Sequence, residues 1–244
     1  MTAIAVYSLK GGVGKTSTAV NLAWSSAVQS SRRTLLWDLD PQSAASFLLS
    51  AGPLAKGIAQ SVFAKDVSPE KLIRKTSITG LDLLAADTSL RGLDQFFFAL
   101  DKKKRLAKLI DDLGKRYERI ILDCPPGLTL TTEQVIRASD LIVAPVIPSP
   151  LSRRALDDVI AHLDSEHRGH APILPIFCMV DKRRLVHRAA IEAEPEWPII
   201  PMASAVEQMA VRREPIGAFA LRTPAGQAYT RLWTGIERKL AKLK

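Results

Sequence analysis

Apolar residues along this chain fall in short, nearly unbroken runs: "AIAVYSL" (3–9), "TLLWDLD" (34–40), "LDLLAA" (81–86), "RIILDC" (119–124), "LIVAPVI" (141–147), "ILPIFCMV" (173–180) and "WPIIPM" (197–202). A strand with one wet face alternates apolar and polar residues. These runs mostly do not alternate, so they predict strands covered on both faces, as in a parallel sheet. Helix-like patterning fills the spaces between them, in 16–29, within 95–117, and in 131–139, 152–166 and 223–243. Strand and helix alternate, which predicts an α/β fold: a mostly parallel twisted sheet with helices on both faces. Residues 50–80 fit less well. Gly52, Pro53, Gly57 and Pro69 interrupt a weak helical pattern, and the segment reads as an excursion within the domain rather than a linker. The chain shows no internal repeat and no low-complexity tract. Its first strand begins by residue 3, so the expectation is a single domain over 1–244 with no N-terminal DNA-reading domain.

The first candidate chemistry lies between the first strand and the first helix, in "SLKGGVGKTS" (8–17). Strand, glycine-rich loop and helix in that order make a phosphate cradle. Gly11, Gly12 and Gly14 allow tight turning and close backbone approach. The loop N–H groups, with Val13 among them, and the helix N-terminus then face phosphate oxygens. Lys15 bridges the β- and γ-phosphates in this reading, the Thr16 hydroxyl serves Mg²⁺, and Ser17 completes the cradle. The usual pattern G-x-x-x-x-G-K-[ST] opens with glycine, whereas this one has Leu9 there, followed by Lys10.

"KGGVGKT" resembles the deviant Walker A pattern of the ParA/MinD family of P-loop ATPases, on its ParA (Soj-like) partitioning branch. The resemblance implies a P-loop NTPase fold, ATP and Mg²⁺ as cofactors, slow partner-stimulated ATP hydrolysis, and a homodimer formed with ATP. It makes Lys10 the signature lysine, reaching the partner subunit's phosphates, where two nucleotides concentrate negative charge at one seam. "LLWDLDPQSAAS" resembles the family's DxDPQ motif. By that likeness Asp40 orients the attacking water, and Asp38 lies near Mg²⁺ and its waters. Positioning is the apt role, because an ordinary aspartate, with a pKa of ~3.9, is a weak base at neutral pH. "YERIILDCPPGLTLTT" (117–132) looks like the Walker B strand, with Asp123 holding Mg²⁺ through water and Cys124 as packing. "CMVDKRR" (178–184) falls where the family's base-side strand ends. Met179 and Asp181 are therefore expected on the adenine side, together with Pro201 from the "IIPM" run, where Met202 replaces the family's usual arginine.

Composition narrows the branch. Iron–sulfur relatives need ligating cysteines, and this chain has two scattered ones, Cys124 and Cys178, read as reduced thiols. Tyrosine-kinase relatives carry a tyrosine-rich tail, which three dispersed tyrosines do not make. A biosynthetic ligase relative would not join DxDPQ to DCPP. No apolar run reaches the ~20 residues that span a bilayer, and no secretory signal opens the chain. The expected location is cytoplasmic and nucleoid-associated.

Charge then separates the two readings that remain. Lys and Arg number 34 against 25 Asp and Glu, a formal net charge of +9. A basic surface favours polyanions. Residues 181–244 hold 12 Lys/Arg and 7 Asp/Glu. Arg183, Arg184, Arg188, Arg212, Arg213 and Arg222 are candidates for non-specific DNA phosphate contacts, Arg222 by its match to a DNA-facing position of the family. The basic run 101–109 reads as an exposed helix face. The alternative is a MinD-type membrane-associated ATPase. Tyr229, Leu232, Trp233, Ile236 and Leu240 form one stripe of a basic C-terminal helix, the kind of element that can lie on anionic lipid. The family's last domain helix buries such a stripe, and only four residues come after Leu240, so membrane is not the expected partner. A partner protein and a cargo (plasmid, chromosome or protein assembly) are implied but not named by the sequence.

Overall fold

The computed structural model describes residues 1–50, 52, 57–64, 67–100, 104–166 and 169–243. Pro53 and the first residues of the basic run, 101–103, lie outside that set. Seven strands occupy the seven apolar runs: β1 (Thr2–Val6), β2 (Thr34–Asp38), β4 (Leu81–Leu84), β5 (Arg119–Asp123), β6 (Leu141–Val146), β7 (Ile173–Val180) and β8 (Ile199–Pro201). An eighth, β3 (Ile73–Lys75), comes from the excursion. They form one sheet in the order β3-β4-β2-β5-β1-β6-β7-β8. Every neighbouring pair is parallel except β3–β4, which runs antiparallel with Ile73 opposite Leu84. β3 has only three residues, none fully buried, so it leaves no periodic signal.

Continuous hydrophobicity in the strands serves two cores. Along β1, Ile4 and Val6 join one cluster, while Ala3 and Ala5 join the other. Leu36 and Leu35 of β2 divide in the same way, as do Ile121 and Ile120 of β5. The first cluster is closed by α1 (Lys15–Trp24), α2 (Ala44–Leu49) and a C-terminal group of helices. The second is closed by α5 (Leu93–Leu100), α6 (Arg105–Leu113), α7 (Leu130–Arg137) and α8 (Pro150–Glu166). Two single turns, α3 (Ser61–Ala64) and α4 (Pro69–Leu72), lie in the excursion.

The C-terminal third adds α9 (Leu185–Ala193), α10 (Ser204–Arg212), α11 (Ile216–Phe219) and α12 (Pro224–Lys242). In α12 the stripe Tyr229, Leu232, Trp233, Ile236 and Leu240 is at most 4% exposed and belongs to the first core. Thr223 caps the helix by accepting from the Gly226 N–H at 3.2 Å, and Pro224 occupies its first turn. Among the described residues no helix is long and apolar enough to cross a membrane. α9 is not evident from the sequence because Leu185 and Val186 are exposed and only His187 is buried, so it carries no apolar stripe.

Candidate functional site

The C-terminal ends of β1, β2 and β5 meet at one edge of the sheet, because β5 pairs with both other strands. The chain leaves β1 into the glycine loop, where Gly12 has φ +71° and Gly14 φ +93°. Those left-handed angles require glycine. Gly14 caps α1 with no side-chain hydrogen bond, which leaves the first-turn N–H groups of α1 directed at the loop. Val13 is buried, Thr16 and Ser17 are half-buried, and Gly11 and Gly12 face open space. Lys15 is 6% exposed, and its Nζ donates to the Lys10 carbonyl at 3.0 Å. Burial lowers its pKa, while Asp123, Cys124 and Asp40 act in the opposite direction. The Lys10 side chain is half-buried and has no hydrogen bond or ion pair among the described residues.

Two aspartates end adjacent strands in direct register, Asp38 on β2 and Asp123 on β5, and both are fully buried. Their surroundings differ. Asp38 Oδ2 accepts from the Ser46 N–H at 2.8 Å and the Ser46 hydroxyl at 2.7 Å, and Oδ1 accepts from the Asp40 N–H at 3.1 Å. Neither carboxylate oxygen of Asp123 has a hydrogen-bond partner among the described residues. Burial raises the Asp38 pKa to about 6 against the pull of these hydrogen bonds. Burial, and after it repulsion from Asp38, pushes Asp123 well above the usual carboxylate range; the nearby Thr16 hydroxyl and Lys15 offset only part of this. An ionised carboxylate without donors in a dry site is costly, and a cation relieves that cost. Asp123 with Thr16 therefore fits a hard, oxygen-seeking ion such as Mg²⁺. Asp38 has most of its acceptor capacity engaged and ties the end of β2 to the start of α2.

Asp40 sits in the loop after β2, half-buried, with Oδ1 accepting from the Gln42 N–H at 2.9 Å. Beyond it Ser43 has φ +57°, closing a tight turn that aims α2 back over the sheet. Cys124 is fully buried, and burial drives its thiol well above the ordinary range, which suits packing rather than nucleophilic work.

A cleft on the β7–β8 side is lined by Gly14, Ser17, Met179, Pro201, Glu207 and Tyr229 among others. It thus joins the phosphate loop to two of the three residues expected on the adenine side. Met179 adopts φ +57°, which turns the chain at the end of β7. Asp181 is not among the lining residues. Its carboxylate accepts from the Arg183 N–H at 3.0 Å and from the Arg183 guanidinium at 2.9 Å, which holds its pKa down at about 2. Glu207 and Tyr229 carry no local sequence signal for this cleft, because their place depends on how α10 and α12 pack.

The six candidate arginines divide by what they touch. Arg184, Arg188 and Arg222 are exposed and form no ion pair among the described residues. Arg212 is exposed and stacks over Phe219 at 4.8 Å. Arg183 is bound to Asp181. Arg213 donates to the carbonyls of Phe47 at 2.9 Å and Ser50 at 2.8 Å and stacks over Phe47 at 4.9 Å, so it caps the C-terminus of α2.

The family described as "AAA domain" matches residues 1–174. The chain is similar to the chromosome partitioning protein ParA of Myxococcus xanthus, at 31% identity over 195 residues, covering 78% of this chain and 69% of that protein. It is also similar to the sporulation initiation inhibitor protein Soj of Bacillus subtilis, at 35% identity over 147 residues, covering 59% of this chain and 57% of Soj. In fold it resembles apo McdA of Cyanothece, with a TM-score of 0.81 at 20% identity, over 96% of this chain and 98% of that one. At that identity the likeness concerns the fold alone. With its matched sequence, its parallel sheet and its glycine loop, the chain belongs to the ParA family of P-loop ATPases.

Proposed function

We propose that this ATPase is a partitioning or positioning switch: it dimerises with ATP, binds DNA without sequence preference, and releases when a partner protein stimulates hydrolysis. The observation that carries this reading is Lys10. It comes after the strand in a loop whose other lysine is turned inward, and its own side chain has no partner among the described residues. A half-buried, uncommitted ammonium at the phosphate edge is free to meet negative charge from a second subunit.

The chain's residues divide the work. Gly11, Gly12, Val13, Gly14 and Ser17 cradle the phosphates with backbone and hydroxyl donors. Lys15 exchanges the Lys10 carbonyl for phosphate oxygens. Thr16 and Asp123 hold the metal, with Asp38 behind them as a fixed neighbour. Bound Mg²⁺ supplies positive charge against the phosphate oxygens. Asp40 orients the attacking water. Met179 and Pro201 flank the base; Asp181 takes part there only by releasing Arg183. Arg184, Arg188, Arg212 and Arg222 meet DNA phosphates, with Arg183 and Arg213 secondary because their guanidinium groups are engaged. The stripe of α12 that would meet lipid is buried, which favours DNA over membrane. The dimer would thus associate with the nucleoid.

The test is binding to a non-specific duplex with ATP, with ADP and with no nucleotide, across a salt series. Tight binding with ATP alone, weakening steeply with salt, supports the reading. Equal binding in all three states, or none in any, overturns it.

A further inference from the structure

We infer that Ser46 is a positioning residue for hydrolysis, holding Asp38 and, through it, the backbone of Asp40. The inference rests on the reading of Asp40 as the residue that orients water. Ser46 is fully buried in the first turn of α2. It grips Asp38 Oδ2 twice, by its N–H at 2.8 Å and its hydroxyl at 2.7 Å. The hydroxyl oxygen in turn accepts from the Ala86 N–H at 2.9 Å, just past the end of β4. Asp38 Oδ1 then receives the Asp40 N–H at 3.1 Å.

A hydrogen-bonded chain therefore runs from Ala86 through Ser46 and Asp38 to Asp40, crossing from β4 to the loop after β2. The network extends outward. Asp87, next to Ala86, accepts from the N–H groups of Ile58 and Ala59 at 2.9 and 3.0 Å, so the excursion is fastened to the same strand end. Without the Ser46 hydroxyl, Asp38 keeps a single donor on Oδ2 and faces Asp123 and Asp40 with its charge less compensated. Its carboxylate is then held by two of its three donors, the backbone N–H groups of Ser46 and Asp40, so the point against which the Asp40 turn is set is less firmly fixed. A hydroxyl that contacts no reacting atom thereby sets the precision of a carboxylate that orients one.

The test compares the parent with Ser46→Ala, Ser46→Thr and Asp40→Ala. The readouts are ATPase turnover, affinity for a non-hydrolysable ATP analogue with Mg²⁺, and amide hydrogen exchange of 38–47 in the nucleotide-free protein. Ser46→Ala is expected to lower kcat about tenfold, to change analogue affinity by less than about threefold, and to speed exchange at Asp40 about tenfold. Ser46→Thr restores the hydroxyl and is expected to recover most of the turnover and protection. Unchanged kcat and exchange in Ser46→Ala overturn the inference, as does a Ser46→Thr variant that folds but is as impaired as Ser46→Ala. If Ser46→Ala does not fold, Ser46→Cys, with its weaker donor, must fall between parent and Asp40→Ala in turnover. Normal turnover in Asp40→Ala defeats the underlying reading of Asp40, and the exchange data still decide whether Ser46 fixes the loop.

Discussion

Asp38 and Asp123 are the same residue type, at the ends of neighbouring parallel strands, in direct register and equally buried. Among the described residues one accepts three hydrogen bonds and the other none. The difference arises from the segment beyond each strand. After β2 the chain turns at Ser43 into α2, whose first turn returns Ser46 to Asp38. After β5 it runs into Pro125 and Pro126, which have no N–H to offer, and Asp123 is left facing the glycine loop. A burial value alone would rank the two alike. Counting donors separates a carboxylate tied into the fold from one left open to a cation.

The largest expected effect is on Lys15, the cation at the centre of the phosphate loop. Lys15→Ala is expected to weaken ATP binding by at least about a hundredfold, measured by titration with a fluorescent analogue, since the phosphates lose a charge-assisted contact in a dry site. Next come stability changes of opposite sign in metal-free buffer. Asp38→Ala strands the Ser46 and Asp40 donors and is expected to lose about 1–2 kcal/mol, even after relief of a buried charge. Asp123→Asn deprives no donor of the surrounding fold of its acceptor and removes an uncompensated charge, so it is expected to gain about 1–2 kcal/mol. Urea denaturation of the two variants checks both, and a shared sign would break the comparison.

A smaller effect sharpens the same point through pH. Burial raises both carboxyls, Asp38 to about 6 and Asp123, with repulsion from Asp38 added, well above the usual carboxylate range. A group that holds its proton more tightly when folded costs stability as pH rises from the unfolded value of ~3.9 through the folded one. Without metal, the Tm advantage of Asp123→Asn over the parent is therefore expected to be small near pH 5 and to widen toward pH 8. A constant gap across that range would place the cost elsewhere. The smallest effect is expected among the arginines. Arg222→Ala should weaken non-specific DNA binding by a few fold and lower the salt slope by about one, with thermal stability unchanged. Arg213→Ala should instead lower Tm, because it uncaps α2.

What each feature depends on decides whether it is legible in the sequence. The sheet is readable because a strand buried on both faces must be apolar at consecutive positions, and seven runs are. The glycine loop is readable because left-handed angles at Gly12 and Gly14 leave few residues to choose from. α2, α9 and α10 are not, since they are short or present apolar residues outward, as Leu185 and Val186 do. Ser46 and Tyr229 are hidden for another reason. Their roles come from contacts across the fold, to Asp38 and to the β7–β8 cleft, and no local pattern encodes those. The arginines stand out by charge alone, which cannot tell exposed Arg222 from Arg213, already bound to two carbonyls.

The most direct test of the switch is the mass of the particle in solution with and without Mg²⁺-ATP, measured by sedimentation for the parent and for Lys10→Ala. The parent is expected to become a dimer with ATP and to stay a monomer with ADP, while Lys10→Ala is expected to bind ATP yet remain a monomer. An ATP dimer of Lys10→Ala as stable as the parent's would contradict that expectation.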